Sequence, residues 1–283
     1  MINKNIKLTL FTNNIRGISS LKYLLKKKLK INYIVISKQN LNNKVTDFLK
    51  KKKLKYILIN DLKDKKYLQI LMKTDLGLVC GFPHIFKSSQ IKIPKHGLIN
   101  LHAGRLPKYR GGSPLNWQII NNEKYFGISV IKINEGVDTG HIIFEKKFKL
   151  LNKYKIEDLH KIANKFFPFL LYNSIIKLTS GQKLKKQNES NANYFKQRKH
   201  SDSFIEPKLI TYKKLNLLLR ALSKSYPNPY FFYNDKKIII NKIKKTNIKL
   251  NFANSDFIMK SRKIYLKIKD KKIQIVKYKI LNV

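Results

Sequence analysis

Up to residue 101 the chain repeats one alternation. A short continuous apolar run is followed by a longer segment in which apolar residues recur every three or four positions. The runs are residues 6–11, 33–37, 56–59, 76–80 and 97–101. Apolar runs of this length without polar alternation read as strands buried on both faces, as in a parallel sheet. Residues 19–28, 43–53 and 63–72 read as helices with lysine-rich outer faces, and 88–93 as a short helix or turn before Pro94. The alternation predicts an α/β fold: a doubly wound, Rossmann-like, mostly parallel sheet with right-handed crossovers. The loop after the first strand, residues 12–18, has a single glycine, Gly17, and lacks the G-x-G-x-x-G dinucleotide fingerprint.

Further on the pattern changes. Residues 113–121 read as a helix with Ser113 as its cap, Pro114 at its first position and Trp117 packing on it. Residues 127–133 and the alternating 142–149 read as strands. Residues 156–178 form a long amphipathic helix whose apolar stripe is Leu159, Ile162, Ala163, Phe166, Phe169 and Leu170. Residues 179–199 turn to Gly, Gln, Asn, Ser and Lys and read as a linker. After a helix at 212–223 and a two-proline turn at 226–229 come short strands at 230–233, 237–243, 249–252, 257–259, 263–268 and 273–279. The expected division is a catalytic domain over 1–180, a linker over 181–200 and a small β-rich C-terminal domain over 201–283.

Composition changes the picture little. Hydrophobic residues make up 43% of the chain and aromatics 11%, enough for a real core. The apolar run after the basic start is too short for a signal-peptide core or a membrane span, so a soluble, cytoplasmic protein is expected. The one cysteine, Cys80, lies in an apolar run, reads as a buried structural thiol, and offers no intrachain disulfide. The net charge of +45 resembles a nucleic-acid signal. Yet arginine occurs only six times against 55 lysines, and Asn and Ile are abundant too. Lys, Asn and Ile share A+T-rich codons, and the lysines are spread along the chain. Nucleic-acid readers favour clustered arginine. A solvated surface under codon bias accounts for the charge, and nucleic acid is not the expected partner.

Candidate chemistry concentrates in residues 100–138. There the chain reads N-L-H-A-G-R-L-P-K-Y-R-G-G-S-P-L-N-W and, after a strand, G-V-D-T-G. Asn100 and His102 flank Leu101 and share a face if this is extended chain. His102 can act as acid or base near neutral pH. Asn100 can donate to a developing oxyanion. Asp138 can orient an imidazole and hold its charge. Asn, His and Asp with no Ser or Cys nucleophile suit direct acyl transfer to an amine. Taken singly, each of these residues reads as readily as a cap, a turn former or a solvated group.

The stretch as a whole closely resembles the N10-formyltetrahydrofolate-dependent formyltransferases: Asn-x-His at Asn100 and His102, the Leu-Pro-x-Tyr-Arg-Gly loop at residues 106–111, and Asp-Thr-Gly at 138–140. The resemblance implies that Asn100, His102 and Asp138 form the catalytic triad and that N10-formyltetrahydrofolate is the co-substrate, with no metal. It implies a cofactor pocket walled by Gly81, Phe82 and Pro83, by Leu106, Tyr109, Arg110 and Gly111, and by Val137. Phe82 reads first as core, and His84 stands outside the catalytic set. Two branches of the family compete, one formylating methionyl-tRNA and the other a nucleotide-linked amino sugar. The short loop at 38–43, the reading H-A-G-R-L-P followed by P-L-N-W, and the short C-terminal part favour the sugar branch, with methionyl-tRNA as the alternative. Arg198, with Asp202 beside it, Tyr226 and Tyr230 are candidates for the acceptor's phosphate and base, and a homodimer through the β-rich region is in keeping with the resemblance. A basic RNA-binding protein on a decayed scaffold is the competing non-enzymatic reading. The intact Asn100, His102 and Asp138 set argues against it.

Overall fold

The computed structural model describes residues 5–223, 226–247, 252, 256–260 and 263–282. The strand expected at 249–252 falls mostly outside them. The chain divides into two compact units. The first comprises residues up to Gly111, Gly127–Phe148 and Lys161–Tyr194; the second comprises Gly112–Phe126, Lys149–His160 and Phe195 onward.

The first unit is built on strands β1 (Leu8–Phe11), β2 (Ile31–Ser37), β3 (Ile57–Ile59), β4 (Leu76–Val79) and β5 (Leu98–His102). They are joined by helices α1 (Ile15–Lys26), α2 (Asn43–Lys51), α3 (Lys65–Met72) and α4 (Ser88–Ile91). After β6 (Arg110–Gly111) and helix α5 (Pro114–Ile120), strands β7 (Tyr125–Lys132) and β8 (Ile142–Lys149) complete a sheet of order β3-β2-β1-β4-β5-β7-β8. β1 to β5 pair in parallel, and β7 runs antiparallel to β5. The winding direction reverses between β1 and β4, and ligands of such sheets bind outside the carboxyl ends of strands at that switch. There Asn13 N–H donates to Gly81 O at 3.1 Å and Cys80 N–H to Phe11 O at 2.9 Å.

The strands form where apolar runs predict them because both faces are covered: β1 and β4 are buried at every position. Phe11, Val35, Ile59, Leu71, Val79 and Leu98 belong to one core cluster. Helix α1 begins at Ile15, four residues earlier than expected, because the Asn14 side chain caps it by accepting from Arg16 N–H at 2.9 Å. Cys80 is fully buried, and burial pushes its thiol up to about 12, which leaves it unreactive.

Helix α6 (Ile156–Thr179) corrects the expected stripe. Leu159, Ala163, Phe167, Leu170, Leu171 and Ile175 are buried, whereas Phe169 is 51% exposed and Ile162 and Phe166 are only half-buried. With apolar residues on several faces the stripe is ambiguous by period alone, and packing selects the Phe167 face. The segment read as a linker holds a single 3-10 turn, Glu189–Asn191, and strand β9 (Tyr194–Phe195), which pairs with β6. Lys185 bridges Ile142 in both directions, at 2.8 and 3.1 Å.

In the second unit, α7 (Tyr212–Ala221) packs on α5, with Asn116 Nδ2 donating to Ala221 O at 2.7 Å. Strands β10 (Tyr230–Tyr233), β11 (Lys236–Lys245), β12 (Phe257–Lys260), β13 (Lys263–Ile268) and β14 (Lys271–Asn282) form an antiparallel sheet of order β10-β11-β14-β13-β12. Ser113 caps α5 in a left-handed conformation, φ 49°, without a side-chain bond to the helix. Its Oγ instead accepts from Arg198 N–H at 3.1 Å. Trp117 packs away from its own helix: its indole N–H donates to Lys196 O at 3.0 Å and its ring lies 5.3 Å from that of Phe195.

No helix among the described residues is long and apolar enough to cross a membrane.

Candidate active site

β5 runs between β4 and β7, with Asn100 opposite Val79 on one side and Ile131 on the other, and His102 opposite Ser129. Two residues apart on a strand, both side chains leave the same face. They converge on one carboxylate. Asn100 Nδ2 lies 3.4 Å from Asp138 Oδ1, and His102 Nδ1 lies 3.3 Å from Asp138 Oδ2. Gly111 N–H donates to Asp138 Oδ2 at 3.0 Å. His102 Nε2 sits 2.6 Å from Tyr109 O, and the residue is 5% exposed. A carbonyl can only accept, so Nε2 donates to it, and Nδ1 faces the Asp138 carboxylate. A proton arriving at Nδ1 is then held between the ring and the carboxylate.

Asp138 has φ 54°, a left-handed conformation that non-glycine residues adopt at a cost and that Asp and Asn tolerate best. The turn is packed tightly: a Cβ on Gly140 would collide with Lys132 O.

Gly104 is required by close packing of its own. A Cβ there would collide with the His102 ring and the Tyr109 carbonyl. Gly104→Ala should therefore break the His102–Tyr109 contact and lower stability by about 1–3 kcal/mol. Thermal unfolding, read alongside turnover, measures both; wild-type values for both would contradict this packing.

A cleft opens beside Asn100 and Asp138. Its walls are apolar, from Val79, Phe82, Phe86, Ile131, Ile133 and Val137, and its polar rim includes His84 and Glu135. Of the expected cofactor residues, Phe82 and Val137 line it, Val137 being 49% exposed. Phe82 also belongs to the core edge, its ring 5.6 Å from Phe11 and 6.0 Å from Phe86. Gly81 and Pro83 flank Phe82 and are half-buried. Leu106 and Tyr109 are buried, Leu106 against Ile131 and Ile142. His84 bonds Ser37 Oγ at 2.7 Å, and burial pulls its pKa below the ordinary value.

Arg110 is fully buried. Its guanidinium donates to Glu189 at 2.7 and 2.8 Å, to Gln187 Oε1 at 3.0 and 3.1 Å, and to Tyr194 Oη at 2.8 Å. Those bonds hold the Glu189 carboxyl below its ordinary range. The partner that sequence reasoning missed is Gln187. Its Nε2 donates to Asp138 O at 2.8 Å and Gly140 O at 2.7 Å. The usable signal was arginine itself: a buried guanidinium needs acceptors, and Gln187 and Glu189 stand in an otherwise Asn- and Lys-rich run.

Arg198, Tyr226 and Tyr230 belong to the second unit. The Arg198 guanidinium lies 5.1 Å from the Trp117 ring centre and donates to Asp202 O at 2.6 Å. Tyr226 Oη meets His160 Nε2 at 3.0 Å. Tyr230 is buried among His200, Phe204 and Phe232, with Lys237 Nζ 3.9 Å from its ring centre.

Comparison with known proteins shows the family. The formyl transferase family model matches residues 29–171, half of the chain, and encloses Asn100, His102 and Asp138. The bifunctional polymyxin resistance protein ArnA of Wigglesworthia glossinidia brevipalpis is 34% identical over 76% of this chain and 32% of its own length. A methionyl-tRNA formyltransferase of Thermodesulfovibrio yellowstonii is 31% identical over 71% of this chain and 64% of its own. The chain thus spans less than two thirds of either relative. The fold is that of a solved N-formyltransferase from Helicobacter canadensis, in complex with folinic acid and dTDP-3-aminofucose, with a TM-score of 0.68 at 21% identity over 95% of this chain and 98% of that one. With half its length matched by the family model, the chain belongs to the formyl transferase family.

Proposed function

We propose that this chain transfers the formyl group of N10-formyltetrahydrofolate to the primary amine of a nucleotide-linked amino sugar. One observation carries the reading: Asn100, His102 and Asp138 meet at the carboxyl end of β5, beside an apolar cleft lined from β4, β7 and the segments that follow them. The cleft fits the co-substrate by its chemistry. Apolar walls from Phe82, Ile131 and Val137 suit a heteroaromatic ring, and the amide and carboxylate supply polar partners at one end.

When bound, N10-formyltetrahydrofolate supplies an activated formyl carbon that an amine attacks directly. Asn100 Nδ2 is free to meet the charge that develops on the formyl oxygen, because its 3.4 Å contact with Asp138 is weak and a stronger acceptor displaces it. One such donor contributes about 3 kcal/mol in comparable sites. His102 and Asp138 take the proton the amine must lose. Tyr109 O holds His102 Nε2, the His102–Asp138 pair takes the amine's proton, and N10 receives a proton as its bond to the formyl carbon breaks and tetrahydrofolate leaves. Phe82 and Val137 keep water from the formyl carbon.

The sugar acceptor is supported by the short β2–α2 connection, which turns directly from Ser37 into a helix capped by Asn42. The Helicobacter canadensis protein, whose solved complex contains a dTDP-linked amino sugar, shares the fold, as does a methionyl-tRNA formyltransferase from Clostridium thermocellum. Arg198, Tyr226 and Tyr230 are engaged by partners within the second unit and carry no part of this reading. Methionyl-tRNA is the second reading, favoured by the Thermodesulfovibrio yellowstonii relative and by the charge of +45. Competition decides. With a dTDP-linked amino sugar and initiator methionyl-tRNA sharing limiting N10-formyltetrahydrofolate at physiological salt, the formyl group should appear on the sugar. Preferential formylation of the tRNA would replace the first reading with the second.

A further inference from the structure

We propose that Gln187 is a positioning residue for Asp138, locking the left-handed turn that aims its carboxylate at Asn100 and His102. Gln187 is 5% exposed, and its amide is used in both directions. Nε2 donates to the carbonyls of Asp138 and Gly140 at 2.8 and 2.7 Å, bracketing the turn. Oε1 accepts from Arg110 Nε and Nη2 at 3.1 and 3.0 Å. Arg110 precedes Gly111, whose N–H holds Asp138 Oδ2 at 3.0 Å. The contacts therefore close a ring: Gln187 to the Asp138 backbone, Asp138 carboxylate to Gly111, Gly111 to Arg110, and Arg110 back to Gln187.

The ring answers a physical need. A left-handed Asp persists only where its surroundings over-determine it. Here the backbone is held from one side and the carboxylate from the other. An amide is the side chain this requires. A glutamate accepts from Arg110 but cannot donate to two carbonyls, and an asparagine is one methylene too short to reach both partners.

The test uses the full chain as Gln187→Glu and Gln187→Met, with Asp138→Asn in parallel. Glutamate keeps the Arg110 pairing and sets a carboxylate against the Asp138 and Gly140 carbonyls. Methionine fills the space with no donor. In the protein alone, deuterium exchange across residues 136–140 should quicken in both Gln187 variants. In formyl transfer from N10-formyltetrahydrofolate to a dTDP-linked amino sugar, kcat should fall about 10–100-fold. The KM for N10-formyltetrahydrofolate should stay within about threefold of wild type, since the cleft walls are untouched. Unchanged exchange, failure of both variants to fold, or, where Asp138→Asn is itself impaired, wild-type kcat in either folded variant or a loss confined to KM would each overturn the proposal. It rests on the catalytic reading of Asp138, and the two fail differently. Quickened exchange together with a fully active Asp138→Asn refutes that reading and leaves the clamp standing.

Discussion

Asn100→Ala should lower kcat for formyl transfer by roughly 10²–10³-fold while leaving the fold and the affinity for N10-formyltetrahydrofolate close to wild type. The amide is half-buried on β5 between two paired strands, so truncation removes no ladder bond. Its side-chain contact with Asp138, at 3.4 Å, is too long to contribute much to stability. On the proposed mechanism, what disappears is a donor whose value is realised only as charge develops on the formyl oxygen. An interaction made only in the transition state appears in kcat and not in KM. Steady-state kinetics with a fluorescence titration of the folate separates the two. A variant that keeps its turnover, or loses folate binding in proportion, would exclude Asn100 as the oxyanion donor.

Asp138→Asn should be the more informative of two changes at one position. Asparagine tolerates φ near 54° and can still accept from Gly111 N–H, so the turn should survive. The negative charge facing His102 Nδ1 is lost, and kcat should drop about 10²–10⁴-fold. Asp138→Ala should show the same loss of activity plus about 1 kcal/mol of destabilisation, because alanine in the left-handed region lacks the side chain that relieves it. Thermal melts and turnover for both variants give the comparison. Equal stability of the two would mean that backbone strain at residue 138 is absent. Full activity of Asp138→Asn would mean that the carboxylate's charge plays no part.

The strands of the first sheet were legible because each is a short apolar run buried on both faces, as Leu8–Phe11 and Leu76–Val79 show. The approach of Asn100 to His102 was legible for a simpler reason, the period of a strand. Helix α6 was legible in extent and not in orientation, since Phe166, Phe167 and Phe169 offer three faces and only tertiary packing chooses Phe167. Arg110 shows the deeper limit. The local sequence presents it as part of a binding loop, yet its guanidinium is buried on Gln187 and Glu189, more than seventy-five positions away. Those partners lie in a polar stretch with no hydrophobic periodicity, which local patterning reads as a linker. Pairing of polar groups across such separations leaves no period in the chain, so the support of the Asp138 turn became visible only in three dimensions.

The central claim is that the Asn100, His102 and Asp138 cluster moves a formyl group from the folate to an amine. The most direct measurement counts products in one reaction: tetrahydrofolate by its absorbance and the N-formylated dTDP-linked amino sugar by mass spectrometry. The account predicts that tetrahydrofolate appears only when the amino sugar is present, one molecule for each formamide made. Tetrahydrofolate formed at the same rate without the amine, or no formamide at any acceptor concentration, would contradict it.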